Sequence, residues 1–179
     1  MVFQQTDLPT ESDPASGGAL DQEPRVTFGT PTLNDGRHLW RMARDTGVLD
    51  LNSSYAYVLW CRDFAGTSVV ARVDGQHAGF ITAYLRPENP RILMVWQVAV
   101  DVQHRGRRLA ARMLSHLADR LDIDWVETTI TADNQASDRL FRSFARDRAA
   151  ELTREPLFTE EHFPDGHDTE FLYRIGRLR

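Results

Sequence analysis

The 179-residue chain contains no lysine; all 21 of its basic residues are arginine. That absence excludes lysine Schiff-base chemistry, a lysine-held pyridoxal phosphate and a Walker A phosphate loop, each of which needs the primary amine. Cysteine is almost missing as well. The lone Cys61 excludes an intrachain disulfide, a CxxC redox pair and a multi-cysteine zinc site. No stretch approaches the roughly 18 apolar residues of a membrane span. No positively charged start leads into an apolar run, so no secretory signal is expected. The reading is of a soluble, cytoplasmic protein that uses neither a membrane nor a disulfide framework.

The net charge of −5 is unevenly placed. Asp7, Glu11, Asp13, Asp21 and Glu23 lie in residues 1–24, which hold no basic residue and no hydrophobic period. That segment reads as a disordered arm. Residues 25–179 are balanced in charge and read as one domain, with no bulk field that would favour nucleic acid.

Within that domain the punctuation is regular. Residues 25–30 suit a short strand, and residues 34–46 a helix stopped at Gly47. Ser53 or Ser54 can cap a second helix. Residues 68–73 and 76–85 are strands joined by Asp74-Gly75, a two-residue hairpin signal. Residues 91–100 form a nearly all-apolar, central strand. A basic loop leads into a helix over 105–121, followed by a strand at 125–131 and a helix at 135–148. Two strands, near 149–153 and 169–175, finish the chain. Successive strands followed by a strand–helix–strand crossover predict an α/β fold: a mixed sheet covered by helices.

The chemistry concentrates where the central strand meets the next helix. Val98 to Arg112 reads VAVDVQHRGRRLAAR. A glycine turn at a helix start presents unpaired backbone N–H groups and the positive end of the helix dipole. Gly106 allows close approach by an anion, and Arg105, Arg107 and Arg108 add charged donors. A pyrophosphate is the natural ligand. The segment lacks GxGxxG, so it is not a dinucleotide fingerprint. A solvated helix start or a nucleic-acid patch is the bland alternative, and the apolar flanking strand and neutral body argue against it.

Gln103-x-x-Gly106-x-Arg108, placed in this strand order, resembles the acetyl-CoA signature of the GNAT N-acetyltransferases, Q/R-x-x-G-x-G/A. Arg108 departs from it, standing where that pattern has glycine or alanine. The resemblance implies a V-splayed sheet, an acyl pantetheine paired with the backbone of Val98 and Val100, and phosphates over Gln103 to Leu109. It also implies direct attack by an amine on the thioester, with no covalent enzyme intermediate. Cys61, in VLWC, reads accordingly as a small buried hydrophobe. Asn134-x-x-Ser137-x-x-Leu140-Phe141 resembles the later family motif N-x-x-A-x-x-L-Y, whose tyrosine often protonates the departing thiolate. Phe141 has no hydroxyl. Asn134 is a cofactor contact or the cap of the following helix.

Three further segments narrow the resemblance. LDLNSSYAY at residues 49–57, VWQVAVD at 95–101 and LF…HFxxxHxxExxY at 157–173 resemble the L-2,4-diaminobutyrate acetyltransferases of ectoine biosynthesis. Ser54 replaces an expected proline. The resemblance covers roughly residues 25–176 and implies a diamino acid substrate, acetyl-CoA, no metal and a homodimer. Such a substrate needs acids for its ammonium groups, donors for its carboxylate and a wall that selects one amine. Asp50 and Glu170 suit the ammonium groups. Tyr55 and His167 suit the carboxylate or a proton relay, and Trp96 suits the wall. Glu170 or His167 is the expected proton acceptor. Tyr55 and Trp96 also read as core aromatics, and His162 as structural. Since neighbouring strand residues alternate in direction, His167 and Glu170 share a pocket only if His167 precedes the strand. The alternatives are an acetyltransferase for another amine, such as a polyamine, aminoglycoside or protein N-terminus, and a non-catalytic CoA-binding module.

Overall fold

The computed structural model describes residues 23–47 and 49–178; residues 1–22 of the expected disordered arm lie outside the described residues. The elements run β1 (Val26–Gly29), α1 (Gly36–Thr46), α2 (Ser54–Asp63), β2 (Val69–Val73), β3 (Gln76–Arg86), β4 (Asn89–Val100), α3 (Leu109–Arg120), β5 (Trp125–Thr131), α4 (Gln135–Asp147), β6 (Glu151–Phe158) and β7 (Glu170–Gly176). This is the order expected from the sequence. The strands form one sheet in the order β1-β2-β3-β4-β5-β7-β6. Only the β4–β5 pair is parallel, and α3 makes its crossover.

Both faces of the sheet are covered, which is why β2 and β4 read as almost continuous apolar runs. On one face Met113, Leu114 and Leu117 of α3 and Phe141 and Phe144 of α4 pack on Val69, Ile81, Leu93, Val95, Val126 and Ile175. On the other, Leu39, Met42 and Ala43 of α1 and Tyr57 and Cys61 of α2 pack on Val70, Phe80 and Ala99. Cys61 is buried, and desolvation pushes its thiol up to about 11, so it behaves as the expected hydrophobe. Ser53 is the residue that caps α2, accepting from the Ala56 N–H at 3.4 Å. Asp74 and Gly75 both sit at positive φ, as the predicted hairpin turn requires. The start of α1 is tied to the sheet by Asp35, which takes Arg72 at 2.5 Å and the His77 ring at 2.6 Å. Burial alone would raise the Asp35 carboxyl, yet hydrogen bonds from His77 and Thr32 and the Arg72 charge hold it at about 2.

Two boundaries differ from the sequence expectation. Helix α3 begins at Leu109 rather than 105, because Arg108 adopts a left-handed conformation (φ 56°) and breaks the turn before it. Strand β6 continues to Phe158 rather than ending near 153. It tolerates Pro156 because it is the sheet edge, where a missing N–H costs no ladder bond.

Strand β4 carries the feature that shapes the molecule. Against β3 its register shifts twice: once near the hairpin, between the Leu85–Leu93 and Arg86–Asn89 pairs, and once at Trp96, where Thr82 faces Gln97 and Ala83 faces Val95, leaving Trp96 as an extra, bulged residue. Against β5 it pairs only from Ile92 to Val95. Past the Val95–Thr128 pair, β4 runs on beside β3 while β5 runs on beside β7. The sheet opens there into a V.

Near this opening, α3 presses close to β3 at Gly79. A Cβ there would lie 2.9 Å from both the Ala99 carbonyl oxygen and the Met113 methyl. The carbonyl belongs to paired backbone and cannot swing aside. Gly79→Ala is expected to cost about 1–3 kcal/mol, as overpacked positions do. At roughly 2–4 °C per kcal/mol for a domain of this size, the loss is visible in a melting curve. An unchanged Tm would show that both the β4 backbone at Ala99 and α3 at Met113 can give way.

Candidate active site

Two cavities occupy the mouth of the V. The larger, about 470 Å³, lies between the end of β4 and the start of α3. The smaller, about 200 Å³, lies between Val95–Val98 of β4 and Thr128–Thr131 of β5, closed below by Phe141 and at its rim by Asp50, His167 and Glu170. Leu49, Val98, Asn134 and Ser137 line both, so the two spaces meet at these residues.

The larger cavity is built for an extended, amide-bearing ligand that ends in an anion. Beyond Val95 the side of β4 facing β5 has no strand partner, so the backbone of Val98 and Val100 is open to a ligand that pairs as a strand would. At its far end the chain passes Gly106 (φ 79°) and Arg108 (φ 56°) into the N-terminus of α3. The first N–H groups of a helix have no intrahelical partner, and the positive end of the helix dipole lies behind them. Leu109, almost fully buried, anchors the turn against Val73 and Ala78.

Of the residues expected to meet the cofactor, Val98, Val100, Arg105, Gly106, Arg108, Leu109 and Asn134 line this cavity. Gln103 and Arg107 do not. Gln103 sits in the turn before Gly106, its N–H donating to Asp101 Oδ1 at 2.9 Å, and both side chains are solvent-exposed. Arg108 is engaged already, bonding Asp147 at the end of α4 (3.0 Å). Arg105 is thus the lining arginine without an acidic partner among the described residues. Asn134 caps the following helix and lies beside the space a cofactor would fill. Its Oδ1 accepts the Ser137 N–H at 3.1 Å, capping α4, while its side chain borders both cavities.

The smaller cavity gathers charge. His167 lies in the loop before β7, so it shares a pocket with Glu170, which starts the strand opposite Thr131. His167 Nε2 is 3.5 Å from Asp50 Oδ2 and 3.7 Å from Glu170 Oε1. Its Nδ1 lies 2.7 Å from the Asp168 carbonyl oxygen, which can only accept, so Nδ1 carries a proton. Nε2 is therefore the nitrogen that gains or loses a proton between the two carboxylates. The Phe163 ring stacks on the imidazole at 4.4 Å and fixes its plane. The Asp168 carbonyl, joined by the Asp50 and Glu170 carboxylates, raises the His167 pKa above the ordinary imidazole value, against the opposing effect of desolvation. Burial raises the Glu170 carboxyl, opposed by Thr129 and His167. Glu170 Oε2 is buried and has no hydrogen-bond partner among the described residues, an acceptor suited to an incoming ammonium group.

Asp50 is held from behind. Gln97 Nε2 donates to its backbone oxygen at 2.8 Å, and Tyr57 donates to Gln97 Oε1 at 2.9 Å. The Asp50 carboxylate is left exposed at the rim. Trp96, the bulged residue, borders the cavity and rests on Trp60 at 4.2 Å. Tyr55 is set apart from the other expected site residues. It is 71% exposed in the first turn of α2 and lines neither cavity. Two residues along a helix are about 200° apart, so burying Tyr57 turns Tyr55 away. Gln97, Tyr57 and Ser137 were not among the expected site residues. A lone glutamine in an apolar strand was the available signal for the first. His162 turns its Nδ1 to the Thr159 N–H at 3.1 Å, a structural role.

The acetyltransferase (GNAT) family profile matches residues 35–145. The chain is 58% identical over 165 residues to an L-2,4-diaminobutyric acid acetyltransferase of Streptomyces avermitilis, covering 89% of this chain and 92% of that one. It is also 58% identical over 154 residues to the enzyme so named from Streptomyces coelicolor, covering 83% and 91%. Among solved structures it is similar to the diaminobutyrate acetyltransferase EctA of Paenibacillus lautus in complex with L-2,4-diaminobutyric acid and coenzyme A. The TM-score is 0.83 and the identity 38%, over 88% of this chain and 98% of that one.

The charge geometry is testable without turnover. In Asp50→Asn the anion that favours the imidazolium is gone, so the His167 midpoint, followed by NMR of its ring proton, is expected to move down. An unmoved midpoint would show that the two groups are uncoupled.

Proposed function

The chain belongs to the GNAT acetyltransferase family, and we propose that it transfers the acetyl group of acetyl-CoA to the γ-amine of L-2,4-diaminobutyrate, yielding N4-acetyl-L-2,4-diaminobutyrate in ectoine biosynthesis. One observation carries the reading: a small cavity holding Asp50, His167 and Glu170 opens into a strand-edge cavity shaped for an acyl pantetheine. Asp50 and Glu170 each take an ammonium group, and Trp96 fixes which amine points toward the junction. An alkyl ammonium titrates near 10.4, so the attacking amine must first lose a proton. Glu170 and His167 Nε2 face it as acceptors. The neutral amine then attacks the thioester carbonyl, held against the β4 edge at Val98. Arg105 and the N–H groups around Gly106 take the coenzyme phosphates.

The small cavity argues against a peptide, polyamine or aminoglycoside, which would need a wide groove. The reading includes a homodimer, a cytoplasmic location and a role in osmoadaptation, all drawn from kinship with diaminobutyrate acetyltransferases.

In a thiol-release assay, diaminobutyrate is expected to be used in preference to ornithine and lysine. Silence on all three would overturn the reading in favour of an acetyltransferase for another amine or a non-catalytic CoA-binding module. With substrate limiting, the rate is expected to climb between about pH 6 and 9 as the free amine becomes more abundant. A flat profile would contradict the deprotonation step. Glu170→Gln is expected to lower kcat by roughly 10²–10⁴, the range of a lost proton acceptor. Near-normal kcat in both Glu170→Gln and His167→Ala would remove these residues from the proton path.

A further inference from the structure

The residues above bind the amine and take its proton, but none meets the sulfur that departs. A thiol titrates near 8.5, so the leaving group separates as an anion in need of a donor. Its position follows from the cavities. The pantetheine arm lies along β4 in the larger space and the amine stands in the smaller, so the thioester crosses the junction lined by Leu49, Val98, Asn134 and Ser137. Leu49 and Val98 carry no side-chain donor. Asn134 caps α4 through Oδ1, which leaves its Nδ2 amide as a weaker, neutral donor beside the junction. Ser137 has the one hydroxyl on the junction. That hydroxyl makes no hydrogen bond among the described residues, and Ser137 is only partly buried. One turn further on α4, Phe141 borders the amine cavity with a ring that has nothing to donate.

We infer that the Ser137 hydroxyl is a catalytic hydrogen-bond donor to the departing coenzyme sulfur. The inference rests on the acetyl-transfer reading. Nitrogen forms a bond to the carbonyl carbon, the C–S bond breaks, and its electron pair leaves on sulfur. One proton leaves the ammonium before attack; the second leaves nitrogen as the amide forms and balances the thiolate as free thiol. The serine keeps its proton and lends only the hydrogen bond. Ser137 stands in the first turn of the 13-residue α4, so the positive end of that helix adds to the same stabilisation.

The test compares wild type, Ser137→Ala and Ser137→Thr in single-turnover acetyl transfer, with coenzyme A affinity by calorimetry and Tm measured alongside. Ser137→Ala is expected to lose about 10–100-fold in rate, the size of a hydrogen bond to a charged group. Its Tm, its coenzyme affinity and KM for the amine should stay at wild-type values. Ser137→Thr retains the hydroxyl and should recover most of the rate. Wild-type rate in the alanine variant, or a loss confined to KM for acetyl-CoA, would overturn the proposal. So would a threonine variant that binds coenzyme normally and is as slow as alanine. If diaminobutyrate is not the amine used, the same series run with whichever amine wild type accepts separates failure of that reading from failure of this one.

Discussion

The structure depends on where one parallel strand pairing stops. Strands β4 and β5 are held together from Ile92 to Val95 and then part, each remaining fully engaged on its other side. Two well-paired half-sheets diverging from a common seam give a rigid gap rather than a loose one. Exposed strand edges are usually a liability in a folded protein. Here the unpaired edge of β4 lies inside the gap, sheltered by α3 and α4, and becomes a surface that a ligand with amide groups can complete. The bulge at Trp96 belongs to the same break, since it re-aims β4 at the point of divergence.

From that gap the two ends of the site acquire opposite electrical character. On the α3 side, N–H groups, a helix terminus and Arg105 favour anions. On the β7 side, Asp50 and Glu170 favour cations, with His167 between them. A substrate with two ammonium groups and a cofactor with a pyrophosphate are thereby drawn to different ends, and their reacting atoms meet in the middle. Most of the organising bonds concern orientation rather than affinity. Tyr57 and Gln97 fix the Asp50 backbone, Phe163 and the Asp168 carbonyl fix the imidazole, and Asn134 fixes the first turn of α4. Positioning of this kind is what a direct transfer between two bound molecules requires.

Much of the fold was legible in the sequence, because its cues were local. Asp74-Gly75 set the hairpin, Gly47 stopped α1, and the apolar run of β4 marked a strand buried on both faces. Boundaries that depend on tertiary context were less so. Arg108 looked like the second turn of a helix and sits before it in a left-handed conformation, at the position where the family pattern has glycine or alanine. The strand expected near 149–153 runs on through Pro156 to Phe158 at the sheet edge. In the site, Asp50, Trp96, His167 and Glu170 come together as their chemistry suggested. Tyr55 and Tyr57 are both aromatic and near the right loop, and only the packing of α2 decides which one faces inward. Gln97 acts through a backbone oxygen, a role no spacing reveals. The lysine-free composition takes on a local meaning: with Arg108 bound to Asp147, Arg105 is the side chain left beside the phosphate end of the cavity.

The central claim is that the V brings one chosen amine of a small diamino acid to the thioester. The most direct measurement is the structure of the product, read by two-dimensional NMR after incubation with acetyl-CoA and L-2,4-diaminobutyrate. The account predicts a single monoacetylated product whose amide N–H couples to the γ-methylene protons. An amide N–H coupled to the α-proton, or a mixture of both isomers, would contradict it.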